Sequence, residues 1–196
     1  MGLLIYFIIE FLEKINFYNF YILLIFVSCF ILVTNKVIVV YKDIGEDIII
    51  DDILHNNNLR VSKNKSNYIG VLEIPRINLK KGLVDINSKY NNVDKNIQVL
   101  SSDISNIEND TIILAAHSGN GYKAFFKNLD KLVIGDIAHI YYNRNKYRYV
   151  VSKIYTEVKD GDIEIFDSSD LLVLTTCYGK DRQLIIILEK DYGFVS

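Results

Sequence analysis

From Ile15 to Asn35 the chain reads INFYNFYILLIFVSCFILVTN, 21 residues without one Asp, Glu, Lys, Arg or His. As a helix, such a run rises about 31 Å at ~1.5 Å per residue, the thickness of a bilayer's hydrocarbon core. Phe17, Tyr18, Phe20 and Tyr21 gather at one end, as aromatic side chains do at a membrane interface. A buried core helix is seldom so long without charge, and a cleaved leader would be followed by a small-x-small site, which does not follow here. The sequence therefore predicts a retained single-pass anchor over 1–36. Flanking charge does not orient it, because Glu10 and Glu13 offset Lys14, while Lys36 and Lys42 lie beyond the run.

After the anchor, 37–67 holds an apolar patch, an acidic stretch with room for a short helix (EDIIIDDILH) and a polar run rich in Asn, Ser and Lys. That last part has neither helical nor strand periodicity and reads as a linker. The folded domain is expected over 68–196, a length of 129 residues, within the usual range for one domain. Strand signals dominate it: 69–74, 79–84, 111–117, 137–143, 146–158, 171–176 and 183–190. Asn143-Arg144-Asn145 and Lys159-Asp160-Gly161-Asp162 read as turns between strands. One helix is predicted, over 121–132, where Phe125, Phe126, Leu129 and Leu132 recur at helical spacing. Many short strands and little helix point to a mainly β, closed or nearly closed barrel.

Net charge is −2 and the basic residues are scattered, so no basic stripe invites nucleic acid. Gly119-Asn120-Gly121 is too short for a phosphate loop and reads as a turn. Asp160, Asp162 and Glu164 do not match the calcium loop of an EF-hand; a solvated acidic loop is the simpler reading, and no cofactor or metal is expected.

The chain has two cysteines, and Cys29 falls inside the proposed span. Cys177 is thus left without a disulfide partner in the folded domain. It ends the apolar run 171–176, and Arg182 stands just before the next run. An unperturbed thiol is only a few per cent ionised at neutral pH, so a cysteine nucleophile needs a base or a cation beside it. Of three histidines, His55 sits among linker asparagines and is most simply a surface residue, and His139 lies inside a strand flanked by Ala and Ile and is most simply structural. His117 instead terminates the strand TIILAA before a Ser-Gly-Asn-Gly turn, the same kind of position as Cys177. His117, Cys177 and Arg182 are therefore the candidate catalytic residues.

The stretch Leu174-Thr175-Thr176-Cys177, followed by Arg182 and an apolar strand, resembles the signature of the sortase family. ILAAHSGNGYKAFFKNLDKLVIGDIAHIYYNRNKYRYVV is similar to that family's histidine region, and YIGVLEIPRINL (68–79) to its first strand. The resemblance spans the domain from about Tyr68. It implies a closed barrel of about eight strands with one or two short helices. It further implies that Cys177 is the nucleophile, His117 the general acid and Arg182 the oxyanion-stabilising cation, with Thr175, Thr176 and Ser118 as substrate-binding residues. The implied partners are secreted proteins bearing a C-terminal LPxTG-like sorting signal and an amine acceptor such as a lipid-linked peptidoglycan precursor. The implied setting is the cell membrane of a Gram-positive bacterium, with the domain on the outer side. Two departures stand out. Val173 replaces the first Thr of the signature, and Cys177 and Arg182 are only five positions apart, shorter than in many sortases. The chain ends ILEKDYGFVS without a second apolar segment, which leans away from the pilus-polymerising subclass. Two alternatives stay open on sequence: a cysteine endopeptidase, in which water resolves the acyl enzyme, and a membrane-tethered binding domain with an inert thiol.

Overall fold

The computed structural model describes residues 6, 17–56, 68–101, 104, 107, 110–159 and 170–195. The acidic loop residues Asp160, Asp162 and Glu164, and residues 57–67 of the segment expected as linker, lie outside them. The chain divides into two compact units, Met1–Ile48 and Ile49–Ser196.

Helix α1 (Phe17–Asn56) runs through the apolar stretch and on through the acidic one. Its segment Asn19–Ile38 is long and apolar enough to cross a membrane, and none of it is buried. The aliphatic hydroxyls of Ser28 and Thr34 within that segment bond back to the helix: Ser28 Oγ donates to the Ile25 carbonyl at 2.8 Å and Thr34 Oγ1 to that of Ile31 at 3.0 Å. A hydroxyl satisfied inside its own helix leaves little to desolvate when the surroundings are lipid.

Among the described residues, the second unit is built on one eight-stranded sheet made of β1 (Tyr68–Ile74), β2 (Leu79–Val84), β3 (Gln98–Ser101), β4 (Ile112–Ala115), β5 (Ile137–Tyr142), β6 (Asn145–Val158), β7 (Leu171–Tyr178) and β8 (Arg182–Val195). The strand order is β2-β1-β5-β6-β8-β7-β4-β3, and the two edge strands β2 and β3 approach each other, so the sheet is a nearly closed barrel. Every described pairing is antiparallel except β4 with β7.

Alternation along the strands fills the interior. Leu172, Leu174, Leu184, Ile186, Leu188, Ile112 and Leu114 join one buried core, whereas Leu171, Val173, Ile185 and Ile187 form a smaller cluster on the other face with Ile113 and Tyr155. The wholly apolar runs of β7 and β8 thus reflect burial on both faces. They also account for Val173: it is fully buried in the second cluster, where a branched apolar side chain packs without leaving a hydroxyl to satisfy.

The expected turn joins β5 and β6 through Asn143 and Arg144, both with positive φ (48° and 70°), the geometry that matches strand twist in a two-residue hairpin. The helix expected over 121–132 does not form. The segment is a succession of turns ending in a 3-10 turn at Leu129–Lys131, with Ala124 N–H donating to Gly121, Lys127 to Ala124 and Leu129 to Phe126. Phe126 N–H donates to the His117 carbonyl at 3.0 Å. That bond ties the segment to the end of β4 and withdraws the donor an α-helix would need. The apolar spacing still buries Phe126, Leu129 and Leu132 in the core.

Candidate functional site

Parallel pairing of β4 with β7 builds the site. Their register runs Ile112↔Leu172 to Ala115↔Thr175, so two residues further on His117 and Cys177 stand level. Both follow the rows that face outward, Ile113 and Ala115 on one strand, Val173 and Thr175 on the other. Antiparallel strands would have sent these two ends to opposite edges of the sheet; parallel ones deliver them to the same edge. Cys177 is a free, exposed thiol.

Short hydrogen bonds brace the two strand ends. Thr176 Oγ1 donates to the Ala116 carbonyl at 2.7 Å, and Ser118 Oγ donates to the Cys177 carbonyl at 2.5 Å. The residues expected to bind substrate, Thr175, Thr176 and Ser118, therefore flank the thiol, with Thr175 and Thr176 buried and the hydroxyls of Thr176 and Ser118 engaged in this brace.

The ring of His117 is 45% exposed, and its Nε2 lies 3.4 Å from Asp94 Oδ1 in the loop between β2 and β3. Asp94 is itself 77% exposed, so the pair orients the ring more than it binds it. Nothing in the Asn-rich sequence around Asp94 marks it as a neighbour of His117.

The short Cys177-to-Arg182 interval is a tight hairpin: β7 ends at Tyr178, β8 begins at Arg182, and Gly179 adopts a left-handed φ of 68°. Gln183, not Arg182, is directly across from Cys177 in the register, while Arg182 pairs with Tyr178 on one side and Val158 on the other. The Arg182 guanidinium turns to Thr156, with Nη2 donating to its carbonyl at 2.6 Å and to its Oγ1 at 2.9 Å, and Nε to Oγ1 at 3.1 Å. The cation beside the sulfur is another residue, Lys159, whose Nζ lies 3.3 Å from Cys177 Sγ. Sequence reading placed Lys159 in a turn and gave it no role.

His139 and His55 stand apart from this arrangement. His139 lies on β5 opposite Glu73 of β1, where burial, and then the charge of Lys146, lower its pKa below 6.5. His55 lies near the end of α1. Among the described residues no cluster of three or more His, Cys, Asp or Glu side chains is arranged to hold a metal ion.

The sortase-domain family model matches residues 72–189. The chain is also similar to solved structures. Sortase C1 from Streptococcus agalactiae shares 26% identity at a TM-score of 0.55, over 66% of this chain and 70% of that one. Sortase C of Streptococcus pneumoniae shares 22% at 0.55, over 71% and 74%. Sortase A from Corynebacterium diphtheriae shares 17% at 0.55, over 66% and 63%. The latter two likenesses speak to the fold, and the chain spans roughly two thirds of the length of these relatives. No curated protein sequence gives a significant match. With the family model covering residues 72–189 and both strand ends of the site within that range, this chain belongs to the sortase family.

Proposed function

We propose that this chain is a membrane-anchored cysteine transpeptidase that cleaves an LPxTG-like sorting signal and transfers the acyl fragment to an amine. The observation that supports this most is the in-register parallel pairing that sets His117 and an exposed, free Cys177 side by side at one sheet edge.

In the proposed reaction the Cys177 thiolate attacks the scissile carbonyl, and a C–S bond forms as charge moves to the carbonyl oxygen. The C–N bond then breaks, the leaving amine takes a proton from His117, and a thioacyl enzyme remains. An incoming amine attacks the thioester and gives a proton back to His117. The C–S bond breaks, and the electron pair returns to sulfur. Arg182 is the cation that would face the charge on the carbonyl oxygen; removing one hydrogen-bond donor from an oxyanion site costs about 3–4 kcal/mol. Thr156 fixes the place from which that cation acts.

The apolar helix supplies the setting. A single anchor over Asn19–Ile38 holds the site within reach of secreted proteins and of a lipid-linked peptidoglycan precursor, provided that the domain lies on the outer side of the membrane.

The test uses the full chain in detergent micelles with a set of fluorogenic LPxTG-like peptides, with and without triglycine, beside Cys177→Ala. Ligation that depends on the amine and vanishes in the variant is the expected result. Cleavage indifferent to any amine makes the chain an endopeptidase, and a thiol inert to both peptides and alkylating agents makes it a binding domain.

A further inference from the structure

Strand β6 ends at Val158, paired with Arg182. One residue later the backbone is still held, because Lys159 N–H donates to the Asp181 carbonyl at 3.0 Å. Lys159 is thereby fixed beside the β7–β8 turn, and its exposed side chain brings Nζ to 3.3 Å from Cys177 Sγ. The sequence signature points to Arg182 as the site's cation, and that guanidinium is held at Thr156, while the ammonium in contact with the sulfur is that of Lys159. Among the described residues, the other charged groups on the elements next to the sulfur are His117 beyond β4 with Asp94 beside it, Glu157 on β6, Arg182 on β8, and Lys180 and Asp181 in the turn. Glu157 accepts from Gln183 Nε2 at 2.8 Å, which engages the carboxylate nearest in register to the thiol.

We infer that Lys159 joins His117, Cys177 and Arg182 in the site, as the ammonium that holds the Cys177 thiolate in the free enzyme. Its catalytic consequence rests on the transpeptidase reading; its effect on the thiol does not. A cation in hydrogen-bond contact favours the charged form of its neighbour. When sulfur attacks a carbonyl, the new C–S bond takes its electron pair and the negative charge passes to oxygen. Lys159 then loses its partner while keeping its own proton, since the proton for the leaving amine comes from His117. When the second amine breaks the C–S bond the thiolate returns and the pair re-forms. Lys159 thus acts on the enzyme between turnovers, and Arg182 is left for the charge that develops on substrate.

Alkylation of Cys177 by iodoacetamide, followed by mass spectrometry of the Cys177 peptide so that Cys29 does not interfere, reads this without any sorting peptide. The full chain in micelles is compared with Lys159→Met and Lys159→Arg from pH 5.5 to 9, at low salt and at about 1 M salt. An exposed pair of this kind is worth a factor of about two to five. Lys159→Met is therefore expected to alkylate two- to fivefold more slowly at pH 6.5 and to reach the wild-type rate only at higher pH. Lys159→Arg is expected to restore most of the rate, and about 1 M salt to shrink the difference, as screening shortens the reach of charge. An unchanged rate–pH curve in Lys159→Met at low salt overturns the inference, as does an equal, salt-independent slowing in both variants. If the alkylation effect appears but no peptide is transferred, the transpeptidase reading fails alone; if peptides are transferred and Lys159→Met alkylates like wild type, this inference fails alone.

Discussion

His117 and His139 are each accompanied by a carboxylate, Asp94 Oδ1 at 3.4 Å from the first and Glu73 Oε2 at 3.5 Å from the second. The carboxylate therefore does not distinguish them. His139 sits mid-strand on β5, its side chain 13% exposed, facing Glu73 across the ladder and near the ring of Tyr141. Tyr141 in turn donates its hydroxyl to the same Glu73 oxygen at 2.7 Å, and burial, with that bond, pushes the Tyr141 pKa well up. Glu73 on β1 takes contacts from both His139 and Tyr141 on β5, which makes the patch a piece of sheet. His117 lies past the last residue of β4, open to solvent and level with a thiol on the parallel strand. What separates the candidate histidine of the site from the one inside the sheet is position relative to the strand end.

The largest test of that contrast is a pair of variants. His117→Ala is expected to lower kcat/KM for peptide transfer by about 10²–10⁴, the range for loss of a positioned acid or base. His139→Gln is expected to leave it unchanged, and a comparable loss there would break the contrast. Asp94→Asn comes next: it keeps the shape but removes the charge beside His117, and an exposed orienting pair predicts a loss of about two- to fivefold in kcat with little change in KM. Glu73→Gln, the matching change at His139, should have no effect on transfer.

The smallest expected effect concerns stability. Burial lowers the pKa of His139 in the folded chain below 6.5, so between that lowered value and 6.5 the unfolded chain binds more protons than the folded one. Stability then rises with pH through this window and is lost as pH falls through the folded value. Thermal melts of wild type and His139→Gln between pH 5 and pH 7.5 should show a slope in the wild type that the variant flattens, by on the order of 1 °C for a partly exposed group.

Much of the barrel was legible because strands leave apolar runs or stretches rich in aliphatic and Tyr residues, and seven of the eight described strands announced themselves in one of these ways. β3 did not: Gln98–Ser101 is four residues long, with Val99 buried and Leu100 exposed, too short to display a period. The segment 121–132 carried a true apolar spacing but not the helix it suggested, since its backbone donors answer to turns and to the His117 carbonyl. In the site, Cys177, His117 and Arg182 were visible as chemistry-bearing residues at the ends of apolar runs. Lys159 and Asp94 were not, because what brings them near the thiol and the imidazole is the register of β6 on β8 and the course of the β2–β3 loop. Neither leaves a local pattern.

The single parallel ladder among the described strands also sets the moment at which the site comes into being. Ile112 pairs with Leu172 across 60 positions of chain, and contacts so far apart in sequence form late and slowly. A chain made from its N-terminus presents His117 long before Cys177 exists, and β7 acquires its second neighbour only when β8 has been added. His117 reaches the thiol through the β4–β7 ladder and Lys159 through the β6–β8 ladder, so a chain that has not closed both carries Cys177 without one or both of these neighbours.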